Sequence, residues 1–192
     1  MDSQDITIVC YTGGTCGDLV TALIDSSDTK FNCALKTVVH LPERARLKKP
    51  HLFASDADKD QYINDIRKNY SSIPSHDLDY HVRRQHVFVG ITVQDLDTAL
   101  WAAKRFRACH RPHVWEEMQR LCGANSVENY AQVLIDFSNM LATHTDKIVK
   151  LEDIKHGTVI PILENMLSCS ISKGSKNLYQ NWLDLQRNQF II

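Results

Sequence analysis

The chain has 192 residues, 43% of them hydrophobic, with 22 Lys and Arg against 23 Asp and Glu for a net charge of −1. That is enough apolar material for one core and one domain, residues 1–192. The neutral balance excludes the strong basic or acidic bias expected of a nucleic-acid or anionic-membrane partner.

No apolar run approaches the roughly 20 residues of a membrane span, and the acidic start MDSQDITIV does not read as a signal peptide. The six cysteines, Cys10, Cys16, Cys33, Cys109, Cys122 and Cys169, show neither a CxxC pair nor a scaffold spacing. They read as reduced, core-filling thiols of a cytoplasmic protein.

Residues 6–24, ITIVCYTGGTCGDLVTALI, predict a buried strand, a glycine-rich turn and a helix running to about Asp25. A helix start preceded by glycines is suited to anions, because its free N–H groups and positive dipole end face the loop. The loop Thr12-Gly13-Gly14-Thr15-Cys16-Gly17 lacks the GxxxxGK[ST] pattern and its phosphate-reaching lysine. Asp18 falls in the first helical turn.

A second apolar run, Thr37–Leu41, stops at Pro42. Residues 43–55 predict a surface loop, whose basic side chains Arg44, Arg46, Lys48 and Lys49, with His51, are either solvated or reach an anionic substrate. Ser55 or Asp56 caps a polar helix to about Asn69, with Tyr62, Ile63 and Ile66 as its apolar side. Residues 72–78 are short and ambiguous, and His86–Thr92 is a clear strand.

Next comes a helix with Leu96, Ala99, Leu100, Ala103 and Phe106 on one stripe. Asp95 and Asp97 at its start read as cap and dipole partners. A helix over Val127–Ala142, a strand over Lys147–Leu151 and a helix from Thr158 follow, with Glu152-Asp153 capping or orienting the last connection. Pro161 sits in that helix's first turn, where its missing N–H is tolerated. The tail, about 172–192, holds Tyr179, Trp182, Leu183 and Leu185 and reads as an amphipathic segment docking on the domain or on a partner subunit. The alternation implies an α/β fold in three αβα layers, with a mainly parallel sheet and helices on both faces. His76, His81 and His86, like His110 and His113, lack partners at ligand spacing, so no metal is expected.

Four of these segments, in order and over most of the chain, resemble the sulfotransferase family of P-loop-like α/β folds. The opening strand, loop and helix are similar to the family's loop for the 5′-phosphosulfate of 3′-phosphoadenosine-5′-phosphosulfate. The segment IPSHDL, ahead of what reads as a central strand, is similar to its Lys-Thr-His-Leu segment and places His76 at the catalytic histidine. HVFVGITVQDLDTALWAAKRF resembles the 3′-phosphate segment, although Val93 stands for its arginine and Trp101 for its serine. DKIVKLEDIKHGTVIPILENML resembles the closing strand, turn and helix.

The resemblance implies sulfuryl transfer to a small-molecule or glycan hydroxyl. Thr12, Gly13, Gly14, Thr15, Cys16 and Gly17 would then hold the cofactor, and His76 would act as base. The missing lysine, arginine and serine, with the hydrophobic tail, support an alternative: a catalytically degenerate member, of viral origin, acting as an interaction or assembly protein through a partner chain or homo-oligomer.

Overall fold

Four parallel strands form one sheet in the order β2-β1-β3-β4, in a computed structural model that describes residues 6–25, 49–68, 70–110 and 112–190. They are β1 (Thr7–Cys10), β2 (Ser72–Ser75), β3 (Phe88–Thr92) and β4 (Ile148–Lys150). The helices are α1 (Gly17–Asp25), α2 (Asp56–Ile66), α3 (Leu78–Arg83), α4 (Leu96–Cys109), α5 (Pro112–Cys122), α6 (Val127–Ala142), α7 (Leu151–His156), α8 (Val159–Leu167) and α9 (Lys173–Phe190). The Thr37–Leu41 run, Cys33 and the basic residues Arg44, Arg46 and Lys48 lie outside the described residues.

β1 and β3 are short and nearly all buried, which is why they read as continuous apolar runs. Pleating sends alternate residues to opposite faces, and the core divides accordingly. Val9, Tyr11, Val89, Ile91 and Val149 join a cluster with α1, α4, α6 and α7–α9. Ile8, Cys10, Ile73 and Phe88 join another with Ile63, Ile66, Leu78 and Tyr80. The fold is therefore α/β, with a four-stranded parallel sheet and an apolar cluster on each face.

Local chemistry fixes the helix starts. Ser55, Asp77, Asp95 and Ser126 each accept a hydrogen bond from the backbone N–H three residues on, a cap contributing roughly 1 kcal/mol. At the close of α7, Gly157 (φ +89°) provides the left-handed turn.

Several expectations shift. The first half of the IPSHDL segment is itself a strand, β2, outermost among the described strands and beside β1, and α3 separates it from the central β3. Val87 is exposed and β3 starts one residue later. Leu96 is 53% exposed and leaves the predicted stripe, because it occupies the first helical position at the rim. The tail is a helix, and Tyr179, Trp182 and Leu183 bury against the same core as α7 and α8. Its docking surface is thus this domain. The described cysteines Cys10, Cys16, Cys122 and Cys169 are free thiols. Among the described residues, no helix is long and apolar enough to cross a membrane.

Candidate functional site

In this strand order β1 and β3 are neighbours whose connections leave in opposite directions, since β1 leads to β2 on one side and β3 to β4 on the other. Open parallel sheets bind ligands at such a point, outside the carboxyl ends of the strands. The Thr12–Gly17 loop leaves β1 at that edge.

Its carbonyls are turned inward. The Tyr130 hydroxyl donates to the Gly13 carbonyl (3.0 Å), and Arg105 Nη2 donates to the Gly14 carbonyl (2.7 Å) and to Cys16 Sγ (3.0 Å). The Thr12 carbonyl takes the Thr15 amide (3.2 Å) and hydroxyl (2.7 Å). A trans peptide sets each C=O opposite the following N–H, so anchoring Gly13 and Gly14 in this way aims the N–H groups of Gly14 and Thr15 away from those donors. Gly14 takes φ +95° and Cys16 φ +63° to complete the turn. A β-carbon on Gly17 would lie 2.1 Å from the Tyr11 ring, so glycine alone lets that ring cross the start of α1.

Four side chains from four places meet in front of this helix start. Lys49 Nζ lies 2.6 Å from the Tyr11 hydroxyl, 3.2 Å from Asp18 Oδ2 and 3.0 Å from His76 Nε2. His76, just past the end of β2, places Nδ1 2.7 Å from the Tyr11 carbonyl. A carbonyl only accepts, so Nδ1 carries the proton and the Nε2 lone pair faces the Lys49 ammonium. The His76 ring packs on Tyr11 at 4.3 Å and on His51 at 5.2 Å. The histidine next to Asp77 in sequence is thus not paired with it: Asp77 caps α3 and binds Lys59 Nζ at 2.7 Å.

The electrostatics follow from this packing. Burial, and then the adjacent Lys49 ammonium, push the His76 imidazole down to about 3. Burial alone would raise the Asp18 carboxyl, but Lys49 and the Tyr11 hydroxyl outweigh it and hold it below the usual range. At neutral pH the site is an ammonium–carboxylate pair beside a neutral imidazole whose base nitrogen is occupied.

The structure places His76 against Tyr11, the residue that precedes the Thr12–Gly17 loop, beside Lys49 and Asp18, and sets Arg105 on the loop at Gly14 and Cys16. Asp18 follows Gly17 where a GxxxxGK loop has its lysine, and Lys49 brings an ammonium to that carboxylate from 31 residues away. The basic run containing Lys49 was the only signal for it. Arg105, 6% exposed, lies on a helix face that otherwise reads as core, and its ring neighbours Trp101 and Trp182 hide its charge from any charge-pattern argument.

His81 and His86 stand apart from the loop. His81 Nε2 is 2.7 Å from the Ser75 hydroxyl, and its Nδ1 is 3.0 Å from His86 Nδ1. Neither they nor any other group of three or more His, Cys, Asp and Glu among the described residues is arranged for a metal ion. A cavity of about 740 Å³ opens at the amino ends of β1 and β3, lined by residues including Ile6, Ile63, Arg67, His86, Phe88 and Lys147. It holds none of the loop residues.

No family model matches this chain, and neither a curated protein nor a solved structure does.

Proposed function

We propose that the protein is a sulfotransferase-like transferase with a three-layer, P-loop-like fold. Its Thr12–Gly17 loop cradles the phosphosulfate of 3′-phosphoadenosine-5′-phosphosulfate, and His76 serves a hydroxyl acceptor. The observation that carries this reading is the 2.7 Å bond from His76 Nδ1 to the Tyr11 carbonyl, which seats an imidazole directly beside an anion-type loop across 65 residues of sequence.

In the reaction the acceptor oxygen attacks sulfur in line. The bond from sulfur to the bridging phosphate oxygen breaks, adenosine 3′,5′-bisphosphate departs, and the acceptor proton passes to His76 Nε2. Lys49 supports the charge that develops on the phosphate, taking the part of the lysine absent from the loop. Calorimetric titration with adenosine 3′,5′-bisphosphate tests the reading. Saturable heat at millimolar concentration or below is expected, and its absence in that range overturns the assignment.

A second reading has its own observation. Asp18 already places a carboxylate at the N-terminus of α1 and engages Lys49, as in a degenerate site kept for its fold by an interaction protein. Recovery of a stoichiometric protein partner, together with silence toward the bisphosphate, supports this alternative.

A further inference from the structure

The cavity of about 740 Å³ lies at the amino ends of β1 and β3, the opposite end of these strands from the Thr12–Gly17 loop. Pockets of this order hold small organic ligands. Its apolar walls come from both core clusters: Ile6, Ile63 and Phe88 belong to one, while Met166 and Leu167 pack on the other. Val87, 69% exposed, adds a large apolar side chain that folding leaves uncovered at the same place. An occupant with an apolar body would remove these side chains from water.

The polar part of the lining is one-sided. Arg67, Lys147 and His86 stand in it, and among the described lining residues none is acidic. Neighbouring cations are matched: Lys59 and Lys68 on either side of Arg67's helix, and Arg83 and Arg84 ahead of His86, each meet a carboxylate. Arg67 and Lys147 meet none among the described residues. His86 is a donor as well. The Ser75 hydroxyl accepts the Asp77 amide (3.1 Å) and gives its own proton to His81 Nε2 (2.7 Å). His81 then carries its proton on Nδ1 and donates it to His86 Nδ1 (3.0 Å). That leaves the His86 proton on Nε2, where it has no partner among the described residues.

Two helix ends set how much negative charge fits. α2 closes at Arg67 and α8 at Ser168, and both residues line the cavity. Each carboxyl end carries roughly half a negative charge, so together they offset about one of the two full cations. The charge left over matches a monoanion better than a doubly charged phosphate.

We propose that this cavity binds a small amphipathic carboxylate, with its apolar body against Ile6, Val87, Met166 and Leu167 and its head group at Arg67, Lys147 and His86. The site is separate from the loop and stands whether or not the loop holds a phosphosulfate.

Calorimetric titration of the full chain with decanoate, decanol and acetate tests the site. Decanoate is expected to give saturable heat at one molecule per chain, in the millimolar range or below. Decanol, which lacks the charge, and acetate, which lacks the body, are each expected to bind at least about tenfold more weakly. The double variant R67Q/K147Q is expected to bring decanoate down to the level of decanol. N64W sets an indole on the cavity wall, where Asn64 is exposed, and is expected to abolish decanoate binding. No saturable heat from decanoate in that range overturns the site. Equal affinity for decanol or for acetate does the same, the first by denying the head group and the second the body. Unchanged decanoate affinity in R67Q/K147Q, or in an N64W protein of native helicity, also overturns it. Neither Arg67 nor Lys147 is buried, so the double variant decides the matter where N64W does not fold.

Discussion

At Gly17 the difference between a hydrogen and a methyl decides whether the site exists. A β-carbon there meets the Tyr11 ring at 2.1 Å, and that ring is pinned by Lys49 above its hydroxyl and His76 against its face. Gly17→Ala is expected to cost about 3 kcal/mol, the upper range for overpacking, read as a lower denaturant midpoint at unchanged slope. Gly174, in the first turn of α9, has only the Ser172 hydroxyl within 4 Å, at 3.8 Å. Gly174→Ala is expected to leave stability unchanged or raise it by up to about 0.5 kcal/mol, since alanine forms helix better. One substitution thus takes opposite signs at two glycines. In the sequence Gly17 is simply the last glycine of a loop, and only the path of the Tyr11 ring gives it this role.

Among the elements, the turn from β3 to α4 depends on a residue from the first turn of α7. Glu152 Oε1 accepts the backbone N–H groups of Gln94 (2.8 Å) and Asp95 (3.0 Å), while the Asp95 side chain caps α4 through the Thr98 amide. Glu152→Ala removes the shared acceptor and is expected to cost roughly 1–2 kcal/mol and to speed amide hydrogen exchange at Gln94 and Asp95. Glu152→Gln keeps an acceptor oxygen and is expected to retain most of that protection. Asp95 was legible in the sequence as a cap because capping is local, acting over three residues. That Glu152 orients the β3–α4 turn, 57 and 58 residues away, required the pairing of β3 with β4. The β2 strand was obscured for a related reason: four residues including Pro74 carry little periodicity, and among the described strands β2 is outermost, where proline is tolerated because pairing is needed on one side only.

For the whole molecule, two buried histidines set a dependence on pH. His76, under burial and Lys49, and His81, under burial and His86, are both pushed down to about 3. Unfolded histidines protonate near 6.5, so below that value the unfolded chain binds protons that the folded chain refuses. Stability is therefore full above about pH 6.5 and falls as the pH drops toward 3, by up to about 1.4 kcal/mol per pH unit for each group. Urea unfolding at pH 7, 6, 5 and 4 is expected to show this decline, with a shallower slope in His81→Gln. Equal slopes in the two proteins would place the dependence elsewhere. The docking of α9 belongs to this scale too. Its amphipathic pattern was readable, but its choice of surface was made by the core cluster that buries Tyr179, Trp182 and Leu183, with the Tyr179 hydroxyl donating to the Ile154 carbonyl of α7.

The sequence by itself determined the α/β alternation, three of the four described strands, the cap at Asp95, the helix over Val127–Ala142 and the glycine-rich turn after β1, and it narrowed the cap of α2 to Ser55 or Asp56. These rest on periodicity and on hydrogen bonds spanning three or four residues, which a linear string records. Tertiary structure alone decided that His76 joins the loop and not Asp77, that Lys49 supplies the ammonium the loop lacks, and that Arg105 anchors Gly14 from behind. Those contacts span 27 to 91 residues. They arise because parallel pairing gathers the carboxyl ends of distant strands at one edge, which no local pattern encodes.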